Sequence, residues 1–245
     1  MISSKQNTLI KEIRSLKDKK FRDKLGVFVL EGVKPVKEGV DFNLPIREIV
    51  LTEKHYLQFS DCKYNVEVVS EEVFKSISEE KTPQGVLAVV FKGENKLVSP
   101  KNSCILLDGV SDPNNVGAII RTAVASGYND VYLTNTCADA YSQKSVRCSM
   151  SGVFRANIMR AEIEEILGVI NLPLVVADMD GKDVFDLDLN EKVCLVIGSE
   201  GNGVSDFVKS KADLTVKIPM ENGMESLNAS VSAGVLMYAL KRRNG

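Results

Sequence analysis

The most informative charged side chain in this sequence is Arg121. It is the one charged residue between Val116 and Tyr128, in an apolar segment that predicts a largely buried helix. A buried guanidinium needs an anion or a hydrogen-bonding partner to offset its loss of water. Asn114 lies two helical turns before Arg121, and Asn115 is rotated somewhat from that direction. The spacing fits equally well an arginine paired with a structural carboxylate and an arginine that binds an anionic substrate.

A second candidate group is Glu200, the one charged residue in the glycine-rich segment GSEGNG, residues 198–203. Glycines this dense after the apolar strand VCLVIG permit left-handed backbone and close approach of the main chain to a ligand. The phosphate-binding pattern G-x-x-x-x-G-K-[ST] is excluded, because Val204 and Ser205 follow Gly203. The dinucleotide fingerprint G-x-G-x-x-G is absent as well. A tight turn between a strand and a helix is the alternative explanation.

A third polar group follows the segment IPM, residues 218–220, at the end of an apolar strand. The sequence MESLNASVSAG, residues 224–234, predicts a helix over residues 226–242 with Ser226 as its N-terminal cap. Asn228 and the small residues that follow it predict a thin, uncharged helix surface that packs closely against another backbone.

These three segments lie in a regular alternation of strands and helices. Strands are predicted at 104–110, 130–134, 173–178, 192–198 and 214–219, and helices at 115–127, 142–150, 161–170, 204–211 and 226–242. Continuous apolar strands such as CILLDGV are typical of a parallel sheet covered on both faces. Ligands of such sheets bind beyond the carboxyl ends of the strands, so the loops after residues 110, 198 and 219 form the predicted site. The acidic stretch 177–191 lacks the ligand spacing of a calcium loop and is interpreted as a charged turn region.

The first part of the chain predicts a separate, smaller α/β domain. Residues 6–24 have helix-spaced apolar positions and predict one basic amphipathic helix. Short strands are predicted at VFVLEG, IREIVLT, NVEVVS and GVLAVVF. The polar segment KGENKLVSPKNS, residues 92–103, predicts a linker, which gives domains at 1–97 and 98–245.

Positive charge is concentrated at the N-terminus. Residues 1–37 contain ten Lys or Arg and four acids, whereas the whole chain of 245 residues has a net charge of −2. A basic segment on an otherwise acidic chain is a modest indicator of nucleic-acid binding. A solvated helix face is the alternative.

Composition restricts the class of protein. A chain that is 44% hydrophobic and 26% charged is typical of globular proteins. No apolar run approaches the ~18–20 residues that span a bilayer, and the N-terminus lacks the apolar core of a signal peptide, so a cytoplasmic location is expected. The five cysteines form no C-x-x-C pair and His55 is the single histidine, so reduced thiols and no metal site are expected.

Three segments together resemble a known family. They are DGVSDPNNVGAIIRTAVASG, VIGSEGNGVS and IPMENGMESLNASVSAGVLMYAL, and they resemble the three motifs of the SpoU (TrmH-like) RNA 2′-O-ribose methyltransferases of the SPOUT superfamily. The N-terminal segment SSKQNTLIKEIRSLKDKKFRDKLGVFVLEGVK is similar to the small substrate-binding domain, an α/β fold related to a ribosomal protein, that these enzymes often carry. The resemblance implies an α/β methyltransferase domain with a mainly parallel sheet, threaded into a deep trefoil knot. It also implies a homodimer.

The resemblance further implies a reaction, with S-adenosylmethionine as cofactor and a ribose 2′-hydroxyl of structured RNA as acceptor. Ribosomal RNA is favoured over transfer RNA because the accessory domain accompanies that class. Arg121 corresponds to the residue that activates the hydroxyl, with supporting roles for Asn115, Glu200, Ser226 and Asn228. The cofactor is expected against the main chain at Gly198, Gly203, Ile218, Met220 and Leu227. Phosphate contacts are expected from Lys11, Arg14, Lys144 and Arg147, with a solvated helix surface as the alternative.

Two other classes of function remain open from the sequence. One is a non-catalytic RNA-binding or ribosome-assembly factor with the same fold, and the other is a nucleotide-binding α/β protein that does not bind RNA. The variant Arg121→Ala separates the first from an enzyme, because an enzyme loses methyl transfer while it retains RNA binding.

Overall fold

The computed structural model describes residues 1–189, 191–224 and 226–241. In chain order its strands are β1 Val27–Glu31, β2 Ile46–Thr52, β3 Val66–Val69, β4 Val86–Phe91, β5 Cys104–Asp108, β6 Asp130–Thr134, β7 Asn157–Ala161, β8 Leu174–Asp183, β9 Cys194–Gly198 and β10 Leu214–Lys217. Its helices are α1 Thr8–Ser15, α2 Lys19–Leu25, α3 Val33–Asp41, α4 Tyr56–Phe59, α5 Glu71–Ile77, α6 Pro113–Ser126, α7 Gln143–Ser149, α8 Ile163–Val169, α9 Asp206–Lys209 and α10 Ala229–Lys241. None of the described helices is long and apolar enough to cross a membrane.

The chain divides into two compact units. The first comprises Met1–Glu94 and Tyr141–Ser151, and the second comprises Asn95–Ala140 and Gly152–Gly245, as far as these residues are described. Helix α7 is part of the first unit, where it packs against β1. The first segment of the first unit ends at Glu94, within residues 92–103, which form neither strand nor helix.

The first unit contains a mixed four-stranded sheet in the order β1-β4-β2-β3. Strand β4 pairs antiparallel with both β1 and β2, and β2 pairs parallel with β3. Helices α1 and α5 pack against each other and bury their apolar stripes. The core beneath them is formed by Ile10, Ile13, Leu16, Val27, Val29, Val50, Val69, Val73, Phe74, Ile77, Leu87 and Val89.

The single helix predicted over residues 6–24 is wrong, because the structure contains two helices there. Asp18 caps the second helix, and its carboxylate accepts the backbone N–H two residues later at 2.9 Å. Arg22 is buried and donates to the carbonyls of Leu16 at 2.6 Å and Lys17 at 2.7 Å. These bonds satisfy acceptors that the end of α1 leaves free, so they stabilise the break.

The second unit contains a six-stranded sheet in the order β10-β8-β9-β5-β6-β7. Every pair in it is parallel, as the apolar strands predicted. Strand β7 was not predicted, because Asn157 and Arg160 interrupt its apolar character. The guanidinium of Arg160 donates to the carbonyls of Thr134 at 3.1 Å and Cys137 at 2.9 Å, which explains a charged residue in a strand.

The carboxyl ends of β5 and β9 lie side by side. Asp108 and Gly198 are partners in the register of this parallel pair. The loop after β5, which begins the first motif, and the loop after β9, which carries the second motif, therefore leave the sheet side by side. Helix α6 starts directly after the loop that follows β5, with Asp112 as its cap and Pro113 in its first turn. The predicted edge of the sheet is therefore where the site residues meet.

Strand β8 is longer than predicted and includes residues 177–183, so the interpretation of 177–191 as a turn region was wrong for those residues. It pairs with β10, and the register shifts between Thr215 and Val216. Gly181 permits this close pairing, because a Cβ at Gly181 would overlap the backbone of Val216. Asp178, Asp180, Lys182 and Asp183 therefore lie on a strand.

Helix α10 begins at Ala229, so the prediction that Ser226 caps it was wrong. The side-chain oxygen of Asn228 accepts the N–H of Ser230 at 3.0 Å and of Val231 at 3.4 Å. Asn228 is thus the capping residue. The helix packs against α6. Its predicted last residue, 242, lies outside the described residues.

Candidate active site

A cavity of about 870 Å³ lies beyond the carboxyl end of β9 in the second unit. Its walls include residues 197–203, residues 216–220, Ser226 and Leu227. Sites for small ligands commonly measure ~300–1,000 Å³, so this cavity is large enough for a nucleoside-sized cofactor. Loops that follow β9 and β10 supply part of the wall, at the predicted edge of the parallel sheet, whereas the loop after residue 110 does not line the cavity.

The five residues predicted to bind a cofactor all line this cavity. They are Gly198, Gly203, Ile218, Met220 and Leu227. A Cβ at Gly198 would overlap the backbone of Gly203 and Val204, so the loop closes only with glycine at that position. Gly203 adopts a left-handed φ of 66°, and its N–H and carbonyl exchange hydrogen bonds of 3.0 Å with Ser199. The result is a rigid main-chain wall.

A chain of hydrogen bonds joins the three polar segments. The carboxamide of Asn228 donates to the side-chain oxygen of Asn115 at 3.1 Å. Asn115 in turn donates to the carboxylate of Glu200. Because Asn115 is only 7% exposed, these bonds form largely away from water and hold the loops in one arrangement. The structure therefore brings together three of the five residues predicted to support catalysis.

Asp108 is a further part of this arrangement, and sequence reasoning did not identify it. Its carboxylate accepts the N–H of Ser205 at 2.8 Å. Ser205 is the residue before α9, so the bond fixes the start of that helix to the end of β5. The available signal was an acid at the end of an apolar strand, directly before the Gly-Val of the first motif.

Arg121 lies on the same helix as Asn115 but is exposed, and it does not line the cavity. No carboxylate among residues 1–189, 191–224 and 226–241 forms an ion pair with it. The packing beside it is tight, since a Cβ at Gly152 would lie 3.0 Å from the Cα of Arg121. A structural ion pair, the alternative explanation for this arginine, is therefore not seen within the described chain.

Ser226 lines the cavity and is exposed, and its hydroxyl bonds to no residue within the described part of the chain. The cavity lining also includes an ion pair that was not predicted. The ammonium of Lys209 lies 2.6 Å from the carboxylate of Asp178. Its hydrogen bond lowers the pKa of Asp178, and the same bond raises the pKa of Lys209. Both members of this ion pair line the cavity.

The four residues predicted to contact phosphate all lie in the first unit. Arg14 is half-buried and donates to the hydroxyl of Ser76 at 3.0 Å, and Arg147 pairs with Glu80. Lys11 and Lys144 are exposed. Within the described ranges there is no group of three His, Cys, Asp or Glu side chains that could hold a metal ion.

The site combines a glycine-lined cavity at the carboxyl edge of a parallel sheet with hydrogen bonds that link Asn228, Asn115 and Glu200. This arrangement is typical of a nucleotide-cofactor site in an α/β protein. Comparison with known families is specific. The profile of the SpoU rRNA Methylase family matches residues 102–238, and the profile of the MRM3-like substrate binding domain matches residues 7–88. This chain belongs to the SpoU rRNA methylase family.

Relatives are similar over nearly the full length. The chain is 30% identical to the 23S rRNA (guanosine(2553)-2′-O)-methyltransferase RlmP of Bacillus subtilis over 98% of each chain. An AdoMet-bound rRNA methyltransferase from Sinorhizobium meliloti superposes with a TM-score of 0.89, at 28% identity, over 98% of this chain and 97% of that one. The SpoU methyltransferase AviRb of Streptomyces viridochromogenes, in complex with AdoMet, gives a TM-score of 0.86 at 26% identity, over 97% and 98%.

Proposed function

We propose that this protein transfers a methyl group from S-adenosylmethionine to a ribose 2′-hydroxyl of ribosomal RNA. The observation that carries the proposal is the cavity whose walls are formed by the second and third motifs and braced by Asn115 of the first. Family membership and relatives named as 23S rRNA 2′-O-methyltransferases support the same reaction.

The residues present fit the cofactor. The missing side chain at Gly198 lets the main chain approach the cavity closely, and Ile218 and Leu227 line the same space. We propose that these groups hold the nucleoside, with Gly203 and Met220 completing the wall. Bound there, S-adenosylmethionine supplies a methyl group already activated by a sulfonium.

The acceptor hydroxyl needs activation because an alcohol is a poor nucleophile at neutral pH. A guanidinium has five donors and no acceptor, so Arg121 does not itself take the proton. We propose that Arg121 binds and polarises the acceptor nucleotide, and that the proton passes to a substrate phosphate or to water. Glu200, held by Asn115, fixes the loop around the site, and Ser226 and Asn228 position the ribose.

The two units have different proposed roles. We propose that residues 1–97 bind the RNA and that residues 98–245 carry out methyl transfer. The match of a substrate-binding domain to residues 7–88 supports this division. Exposed Lys11 and Lys144 are the proposed phosphate contacts, whereas Arg14 and Arg147 would have to exchange an internal partner for phosphate.

We propose that the protein is a homodimer and that its C-terminal segment is threaded as a trefoil knot, as the family resemblance implies. Val231 and Tyr238 are seven residues apart on α10, so they share a face, and they are 50% and 51% exposed. This face and Arg121 lie on two helices that pack together. Burial of this face in a dimer would place Arg121 near the partner chain. A cytoplasmic location follows from the proposed substrate.

Incubation with labelled S-adenosylmethionine and unmodified RNA tests the proposal. Ribosomal RNA should accept label, and transfer RNA from the same source should not. Label in transfer RNA alone would show that the substrate is transfer RNA, the alternative to ribosomal RNA. Cofactor binding without transfer to either RNA would favour the non-catalytic alternative.

A further inference from the structure

Helix α2 presents three exposed side chains that the proposed chemistry does not use. Lys20 and Lys24 are one helical turn apart, and Phe21 lies beside them, three residues before Lys24. Lys20 and Lys24 lie on the side of the helix opposite Arg22, which is buried and bonds to the end of α1. Together Lys20, Phe21 and Lys24 form a surface that we name the α2 patch.

The α2 patch has no internal counter-charge. Asp23, the acid within α2, pairs with Lys92 at 2.7 Å, and the carboxylate of Asp18 caps the helix. Among the described residues no carboxylate forms an ion pair with Lys20 or Lys24. Two like charges at this spacing repel each other in a free helix. A polyanion on this surface would remove that repulsion.

Three other basic side chains of the N-terminal segment have partners. Lys5 pairs with Glu72 at 2.6 Å, and Lys17 donates to the carbonyl of Ser78 at 3.2 Å. Arg14 is held by Ser76. Lys20 and Lys24 therefore differ from Lys5, Arg14 and Lys17, whose charges are already engaged within the unit.

Phe21 makes the surface more specific than a basic patch. Phe21 is 39% exposed on the same short helix as Lys20 and Lys24, although an aromatic side chain in a globular domain usually packs inward. An unpaired nucleobase can stack on such a ring while the adjacent phosphates reach Lys20 and Lys24. A paired base in an RNA duplex has no free face for this contact.

We infer that the α2 patch binds an unpaired nucleotide of the substrate RNA, with its base on Phe21 and flanking phosphates on Lys20 and Lys24. This inference rests on the proposed function, which makes RNA the partner of the first unit. It places the contact on α2, whereas the sequence pointed to Lys11 and Arg14. The helix is anchored by Arg22 and capped by Asp18, so the patch is a fixed surface.

The test uses the full-length protein and a fluorescein-labelled single-stranded RNA of mixed sequence, with the matching duplex as a second probe. Phe21→Ala should weaken single-strand binding at least about fivefold, the lower range for loss of one stacked base. Phe21→Tyr should restore it. Lys20→Ala combined with Lys24→Ala should also weaken binding and should make the dependence on salt concentration less steep.

Matched controls are available in the same unit. Tyr56→Ala removes an exposed aromatic side chain from α4, and Lys37→Ala removes an exposed lysine from α3. Both should bind RNA as the wild type does. Thermal unfolding and binding of S-adenosylmethionine should be unchanged in every variant, which excludes a folding defect.

Two results would overturn the inference: wild-type RNA affinity in Phe21→Ala, or an equal loss in Tyr56→Ala. A loss confined to the duplex probe would also contradict it. These results differ from failure of the proposed function, which would show as no methyl transfer by the wild type to any ribosomal RNA. If the wild type transfers methyl and Phe21→Ala has an unchanged KM for RNA, only the inference on α2 fails.

Discussion

Asn115 donates a hydrogen bond to the carboxylate of Glu200, although 85 positions separate the two residues in the chain. The same carboxamide accepts from Asn228 on its other side. One buried side chain thus connects the loops of all three motifs. The second and third motifs form part of the cavity wall, and Asn115 of the first motif holds them together through these hydrogen bonds.

Replacing Asn115 with Ala should disrupt both the site and the fold around it. The change leaves a carboxylate without its donor and the Asn228 amide without its acceptor, which costs about 1–3 kcal/mol of unfolding free energy. We expect kcat to fall by more than tenfold, with a smaller effect on cofactor affinity. Chemical denaturation and steady-state methyl transfer measure the two effects. Asn129→Ala, an exposed amide beyond the end of the same helix, should behave as wild type.

Adding one methyl group at Gly198 should abolish cofactor binding. The Cβ of Gly198→Ala would overlap the main chain of Gly203, so the loop must open and the cavity wall is lost. Calorimetry with S-adenosylmethionine should detect no binding at concentrations that saturate the wild type. Gly168→Ala is the matched control, because a Cβ there meets no atom within 4 Å. Normal binding by Gly198→Ala would show that the wall is assigned wrongly.

The Asp178–Lys209 pair should affect affinity for a cationic cofactor. Asp178→Asn leaves the ammonium of Lys209 uncompensated beside the cavity, so we expect binding about two- to fivefold weaker, as for a partly solvated charge pair. Combining it with Lys209→Met should restore part of the loss, which a double-mutant cycle measures. If the double variant binds as weakly as Asp178→Asn, the charge explanation is wrong.

The same pair sets a direction for the pH dependence. Lys209 lowers the pKa of Asp178, so the carboxylate is more acidic in the folded protein than in the unfolded chain. Its contribution to stability is therefore complete above the unfolded pKa of about 3.9 and is lost as the pH falls through the lowered folded value. Cofactor affinity should accordingly show no titration from this group between pH 5 and 7, in titrations of the wild type.

Charge on the exposed face of α10 should separate the proposed dimer. Val231→Glu combined with Tyr238→Glu places two carboxylates on one helical face, where burial against a partner would be unfavourable. Light scattering should report twice the chain mass of 26.9 kDa for the wild type and the single mass for the variant. Leu57→Glu, an 87% exposed position on α4, should leave the dimer intact. A monomeric wild type would contradict the dimer proposal.

The parallel sheet and the three loops were predictable because continuous apolar strands and dense glycines are local signals. Strand β7 was not, because its Arg160 is satisfied by carbonyls of the segment after β6, a contact without a local signature. The cap of α10 was misplaced for a similar reason. Ser226 and Asn228 have comparable capping chemistry, and the bond from Asn228 to Asn115 ties Asn228 to the position it occupies.

Some residues on the cavity wall were predictable from the sequence and others were not. The main-chain wall at Gly198 and Gly203 was predictable from the glycines, since close approach of backbone requires them. The ion pair of Asp178 with Lys209 was not predictable from the sequence. It joins β8 to α9, and the contact between these two elements forms only in the folded protein.

Arg121 is proposed to polarise the ribose hydroxyl, and analysis of the methylated nucleosides measures this role. Unmodified 23S ribosomal RNA is incubated with S-adenosylmethionine and either the wild type or Arg121→Ala, and the digested nucleosides are analysed by mass spectrometry. The wild type should produce one 2′-O-methylated nucleoside, and Arg121→Ala should be slower by about 100-fold or more while it still binds cofactor. A base-methylated product, or an undiminished rate for Arg121→Ala, would contradict the account.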